Sequence, residues 1–288
     1  MHNLKHTISL EWLATKLDCE FVGDNTCKID NISDVDNSKE SSLIFSKKID
    51  SKMAASIIIS NANDFVGYNQ IISSNPRLDF IRAIQILDRE VGFECSINVT
   101  DICPTVTIGK NVVIEDGVSI GSGTIIEHNA TILKGTVIGK NCIIRSGAVV
   151  GSEGFGFDRD SNGWLIRFKH LGGVVIGNEV EIGANTCISR GTLSDTFIGD
   201  NVKIDNLVHV AHNCKIGRST IITACAELSG GVDVGEECWI APNVSIKEKI
   251  KIESGSLVGI GAVVTKTVQN SDIVFGNPAK SLRRKKFD

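Results

Sequence analysis

From Ile102 onward the chain carries an aliphatic residue at every sixth position. The units read ICPTVT IGKNVV IEDGVS IGSGTI IEHNAT ILKGTV IGKNCI IRSGAV up to Val150, then IGNEVE IGANTC ISRGTL from Ile176. After four extra residues the beat resumes at Ile198 and holds to Val264. All twenty-four unit-opening positions are Ile, Val or Leu. Were a third of residues aliphatic, chance would give this about once in 10¹¹. A strand alternates its faces every two residues, so six residues hold one short strand and a bend. The first and fifth positions point inward, and the fifth is small. The second, often Gly, is expected at the bend, where backbone angles are unusual. Three units close a triangular turn, and turns stacked about 4.8 Å apart would rise roughly 38 Å over some eight turns. The predicted fold is mainly β, a parallel β-helix of hexapeptide rungs with a small N-terminal α/β domain. Cys142, Cys214 and Cys238 fall on fifth positions and read as small core filler.

Residues 1–98 lack the beat. Ser9 is placed to cap a helix through Leu17, and Asn75-Pro76 opens an amphipathic helix in NPRLDFIRAIQILDRE. CEFVG, SLIFS and ASIIIS read as strands. Residues 151–175 interrupt the repeats with the densest aromatic cluster of the chain. Such an insertion either projects from a prism edge as a functional loop or packs as a hairpin on its own subunit. The expected division is 1–98, 99–268 with its insertion, and a tail over 269–288.

Composition narrows the function. A net charge of -4 and a pI near 5.9 give no broad basic surface for nucleic acid or anionic membrane. The exception is the ending KSLRRKKFD, either a solvated terminus or a partner for phosphate. Nine cysteines without a CxxC pair argue against a zinc ribbon and for a reduced compartment. No signal sequence and no apolar run of membrane-span length is visible, so a cytoplasmic protein is expected. No metal is expected either. His209 and His212 straddle a corner and His128 lies several turns away, which is a poor basis for a three-histidine site.

Other segments carry a resemblance. SLEWLATKLDCEFVGD, the NPRLDFIRAIQIL helix, GSEGFGF with Trp164, and VEIGANTCISRGTLSDTFIGDNVKIDNLVHVAHNCKIG resemble the UDP-3-O-acylglucosamine N-acyltransferases of lipid A synthesis. The resemblance implies a left-handed helix and a homotrimer with its cofactor groove between neighbouring prisms. It places the catalytic histidine in Ala211-His212-Asn213 and the oxyanion donor at the backbone N–H of Gly230. Asp205 and Asn206 become residues near the histidine, orienting it or touching substrate. A sugar amine attacking a thioester must lose a proton, and a neutral imidazole can accept it.

Three departures shape the expectation. The family's NGH histidine aligns with Lys249. Of its uracil contacts Phe45 remains, while Lys48 and Ser51 replace an Asn and a Tyr, which opens dTDP or GDP as alternatives to uridine. The ending, with GAVVTK and GNPAK, resembles the coenzyme A-dependent sugar acetyltransferases, implying that Gly261, Ala262 and Lys266 hold pantetheine and phosphates. The expected function is therefore N-acyl transfer from an acyl thioester, acyl-CoA foremost, to the amine of a nucleotide-linked amino sugar in surface glycan or lipopolysaccharide synthesis. The alternative is an acyl-carrier-protein-dependent lipid A enzyme, and a third reading is a non-catalytic scaffold.

Overall fold

The computed structural model describes residues 2–46, 57–61, 65, 67–94 and 100–282. It divides into two compact units, Met1–Ser96 with Phe155–Leu171, and Ile97–Gly154 with Gly172–Asp288.

In the first unit a six-stranded sheet carries two helices. Helix α1 spans Leu10–Leu17, and the Ser9 hydroxyl accepts from the Trp12 amide as its N-cap. Helix α2 spans Pro76–Glu90, capped by Asn75 with Pro76 in its first turn. The anticipated strands are present at Glu20–Val22, Ser42–Phe45 and Ile57–Ser60. Strands His2–Ser9, Lys28–Ile32 and Asn69–Ile72 complete the sheet. The 151–175 insertion forms an antiparallel hairpin of Phe157–Arg159 and Leu165–Arg167. Its central part, Phe155–Leu171, belongs to this unit and not to the repeats it interrupts. Arg77 on α2 pairs with Asp158 at 2.5 Å, Gln85 donates to the Arg167 carbonyl at 2.9 Å, and Lys169 pairs with Asp88. Of the two expectations for the insertion, the packed hairpin is the one realised.

The second unit is a triangular parallel β-helix. Its faces are sheets of eight, ten and eight strands. Face 1 runs from Asp101–Ile102 to Lys251–Ile252, face 2 from Thr107–Ile108 to Ile273–Phe275 with Lys280–Ser281 at its end, and face 3 from Val113–Ile114 to Val263–Val264. Every first-position aliphatic stacks on its counterpart one turn away, as Ile188, Val210, Leu228 and Ile246 do on face 3. The buried cluster inside contains Ile, Val, Leu, Ala and Cys but no aromatic ring. A tube this narrow has no room for rings, which explains the low aromatic content; Phe197, Trp239 and Phe275 lie outside. Cys142, Cys214 and Cys238 are buried, as their positions require. Residues 269–282 continue face 2 and are no separate tail.

The bends differ from expectation. Left-handed φ falls on the fourth position of nearly every unit, held by Asn111, Asn129, Asn185 and Gly147 among others. The second-position glycines have ordinary φ and answer a different need. A Cβ on Gly183 would lie 2.2 Å from the backbone of Asp205 in the next turn. Close stacking, not bending, selects glycine there.

Candidate active site

Two of the three prism edges carry the residues singled out in the sequence. His212, Gly230, Lys249 and Lys266 lie on the edge that follows face 3. Asp205, Asn206, Gly261 and Ala262 lie on the edge that follows face 2.

On the first edge, His212 and Gly230 are one turn apart, and the Gly231 amide donates to the His212 carbonyl at 2.9 Å. The imidazole covers Gly230 so closely that an added Cβ would sit 2.7 Å from its Cε1 and Nε2. At several other third positions the amide is capped by a side chain of the next turn, as the Lys110 amide is by His128 Nδ1 at 2.7 Å. Among the described residues the Gly230 amide donates to no such cap. The Gly230 backbone thus packs against the edge of the ring that carries Cε1 and Nε2.

The tautomer follows from Asn213. Its Oδ1 accepts from the Thr192 amide at 3.1 Å and the Thr192 hydroxyl at 2.9 Å. Its Nδ2 donates to the Ser194 carbonyl at 2.9 Å and to Ser194 Oγ at 3.0 Å. A fixed backbone donor on one side and a fixed carbonyl on the other leave the amide one orientation. Since Oδ1 can only accept, His212 Nδ1, 3.0 Å away, must donate to it. The neutral ring then carries its lone pair on Nε2, the atom that faces Gly230. The four extra residues that break the repeat are the segment that wraps Asn213, whose own amide donates to Thr196 Oγ1 at 2.9 Å.

Lys249 joins this edge. Its amide donates to the Gly230 carbonyl at 3.0 Å, and its Cγ lies 3.5 Å from a Cβ placed on Gly231. Lys266 is exposed, three turns from His212.

Asn206 does not orient His212 within the chain. It stands six residues earlier, one corner away, and its Oδ1 accepts from the Ala184 amide at 2.7 Å. Asp205 Oδ1 accepts from the Asn206 amide at 2.7 Å. Both line a groove of about 440 Å³ with Arg145, Glu181, Lys203 and Thr223. Arg145 bridges Glu127 at 2.8 Å and Glu181 at 2.6 Å, which holds the Glu127 carboxyl below its ordinary range. On the same edge the Gly261 amide donates to the Pro242 carbonyl at 2.9 Å and the Ala262 amide to the Gly259 carbonyl at 3.2 Å. Both donors proposed for pantetheine are already engaged. Phe45, in the N-terminal unit, is half-buried with its ring 6.1 Å from that of Phe80. Lys48, Ser51 and the basic residues beyond Leu282 lie outside the described residues.

Of the other histidines, His128 caps an amide, His170 is buried in the hairpin and His209 faces Cys187. Among the described residues no three His, Cys, Asp or Glu side chains gather to hold a metal ion, and no helix is long and apolar enough to cross a membrane. Sequence reasoning gave Asn213 no role. Asn at a fourth position is common in this chain as a corner residue, so its identity did not distinguish it. The usable signal was the repeat break at 194–197.

Comparison with known proteins adds the following. The family model for bacterial transferase hexapeptide (six repeats) matches residues 99–134, 117–152 and 195–230. Its fold, the left-handed parallel β-helix, is that of the second unit. The UDP-3-O-acylglucosamine N-acyltransferase of Coxiella burnetii (strain RSA 493 / Nine Mile phase I) is 36% identical over 261 aligned residues, covering 78% of this chain and 75% of the relative. That of Delftia acidovorans is 36% identical over 125 residues, 43% of this chain. The chain thus spans 37% of the Delftia protein's length, well short of the whole. Among solved structures, LpxA from Acinetobacter baumannii has a TM-score of 0.58 at 27% identity, covering 65% of this chain and 72% of that one. The Francisella novicida UDP-N-acetylglucosamine acyltransferase has a TM-score of 0.58 at 27% identity, covering 65% and 67%.

Proposed function

Because this chain belongs to the UDP-3-O-acylglucosamine N-acyltransferase family, we propose that it moves an acyl group from a thioester to the amine of a nucleotide-linked, 3-O-acylated glucosamine. The observation that carries this reading is the His212 imidazole, with Nδ1 tied to Asn213 and the Nε2 edge of the ring packed over Gly230. The amine nitrogen attacks the thioester carbon, and Nε2 takes the proton that the new N–C bond makes acidic. The carbonyl oxygen gathers negative charge, which the Gly230 N–H is placed to receive. Collapse of the tetrahedral intermediate re-forms the carbonyl and expels the thiolate.

Asp205, Asn206 and the groove beside them are assigned to the sugar nucleotide or donor, and Lys249 to a charged group of either. Their separation from His212 onto another edge supports a site shared between prisms. A homotrimer accomplishes this by setting one copy's edge against the other edge of its neighbour. Phe45 is assigned to the base of the nucleotide.

The donor is assigned as an acylated carrier protein. The expectation of acyl-CoA rested on the GAVVTK and GNPAK ending with Gly261, Ala262 and Lys266; the Gly261 and Ala262 amides are both engaged, and the relatives covering most of the chain are UDP-3-O-acylglucosamine N-acyltransferases by name. The test is turnover of a UDP-3-O-acylglucosamine with acyl carrier protein thioester and, separately, with the matching acyl-CoA. Turnover with the carrier protein that is lost in His212→Ala supports the reading. Turnover only with acyl-CoA would reverse the donor assignment, and none with any thioester would reject the transferase.

A further inference from the structure

We propose that Cys187 and His209 form a thiolate–imidazolium pair, a site for covalent capture of soft electrophiles and disulfides. The two are direct register partners on face 3. Both occupy sixth positions, which point out of the prism; Cys187 is half-buried and His209 exposed. The residue in register on the far side of Cys187 is Val149, and Ser152 Oγ lies 3.4 Å from the sulfur. Beyond His209 the same ladder continues to Glu227, whose carboxylate accepts from Ser229 Oγ at 3.1 Å. The thiol therefore faces one imidazole, one hydroxyl and one apolar side chain. The nearest carboxylate in the ladder lies across the imidazole, where it favours the cation without repelling the thiolate at close range.

The His209 imidazole, its register partner, draws the Cys187 thiol below its ordinary value, against the opposing effect of burial. The same contact raises His209. The core cysteines show the opposite: burial pushes Cys214 up to about 12. Cys19, half-buried beside Asp79, is raised to about 11. The Cys103 thiol is also lowered, but by the Thr105 hydroxyl, with no imidazole to hold its proton. Cys225 is exposed at a left-handed corner and serves as a reference thiol.

With a maleimide the chemistry balances simply. The Cys187 sulfur forms a bond to one alkene carbon, the π pair moves to the carbonyl as an enolate, and the His209 imidazolium supplies the proton. With a disulfide the thiolate forms a mixed disulfide and expels the other sulfur as a thiolate. Ile188 pairs with Val210, so an adduct on Cys187 stands one turn from the strand that leads into His212. The expectation that it blocks acyl transfer rests on the proposed function; the reactivity of the pair does not.

The test is timed labelling of the intact chain with N-ethylmaleimide at pH 7, with peptide mass mapping of each cysteine. Cys187 is expected to react roughly tenfold faster than Cys225. His209→Gln should slow Cys187 by a similar factor and leave Cys225 and Cys103 unchanged, with an unaltered melting temperature as control for folding. Equal rates at Cys187 and Cys225, or a Cys187 rate indifferent to His209→Gln, would overturn the pair. Acyl transfer measured on the same samples separates the two claims. Activity before labelling and loss after it supports the block, and full activity in the adduct overturns it. A chain inactive before labelling counts against the transferase reading alone.

Discussion

The His212 imidazole occupies the space that a side chain at Gly230 would need, with Cε1 and Nε2 both 2.7 Å from the missing Cβ. The obstructing atoms belong to a side chain able to rotate, so a methyl group there displaces the ring without breaking the rung. Gly230→Ala is expected to keep its melting temperature within a few degrees while losing ~10²- to 10⁴-fold in kcat, the same loss expected of His212→Ala. Thermal denaturation alongside steady-state turnover decides it; an active Gly230→Ala enzyme would detach the glycine from the chemistry.

Asn213 serves His212 as a positioning residue and also ties down the segment 192–195. Asn213→Ala leaves several half-buried polar groups without partners and should cost about 1–3 kcal/mol in urea unfolding. Asn213→Asp is the sharper probe. Its carboxylate still accepts from Nδ1 but stabilises the imidazolium, so the acidic limb of the kcat/KM profile should move to higher pH. A purely structural asparagine would leave that limb in place.

Leu207 adopts φ 59° at a corner whose counterparts one turn away are Asn185 and Cys225, with Asn243 beyond. A branched apolar residue is strained there, and it is exposed. Leu207→Asn should stabilise the protein by ~0.5–1 kcal/mol, read as a higher urea midpoint with an unchanged m-value.

Acid should loosen the rung at Arg145. Arg145 holds the Glu127 carboxyl below its ordinary 4.5 in the folded state. The folded value lies below the unfolded one, so the stabilisation is complete above about pH 4.5 and fades as pH falls through the lowered value. Arg145→Gln should flatten stability against pH in that acidic range and change its slope little near neutrality. Urea midpoints between about pH 6 and 3 would show this.

The prism was legible because one physical demand, an inward aliphatic every six residues, is repeated too often to be mistaken. The helices were legible through local caps at Ser9 and Asn75. Strands Lys28–Ile32 and Asn69–Ile72 were not, being short, polar-rich and formed only by pairing with distant partners. The bending position was misassigned because glycine answers both a positive φ and a close approach, and composition cannot separate the two. His212, Gly230 and Lys249 lie together on one edge. The resemblance put Asp205 and Asn206 near the histidine, yet within one chain six residues is the full width of a face, and they lie an edge away from His212.

That width makes the chemistry divisible between chains. Aliphatic layers fill the space between the two edges, so no motion of one prism brings Asn206 to its own His212. If neighbouring copies share the site, a chain lacking the base and a chain lacking the amide are each silent yet complementary. Refolded together, His212→Ala and Asn206→Ala should regain about a quarter of the native activity, the share of interfaces at which random assembly unites two intact edges. The genetics of such an enzyme would then show rescue between two null alleles, a trait that belongs to the interface and to neither chain alone.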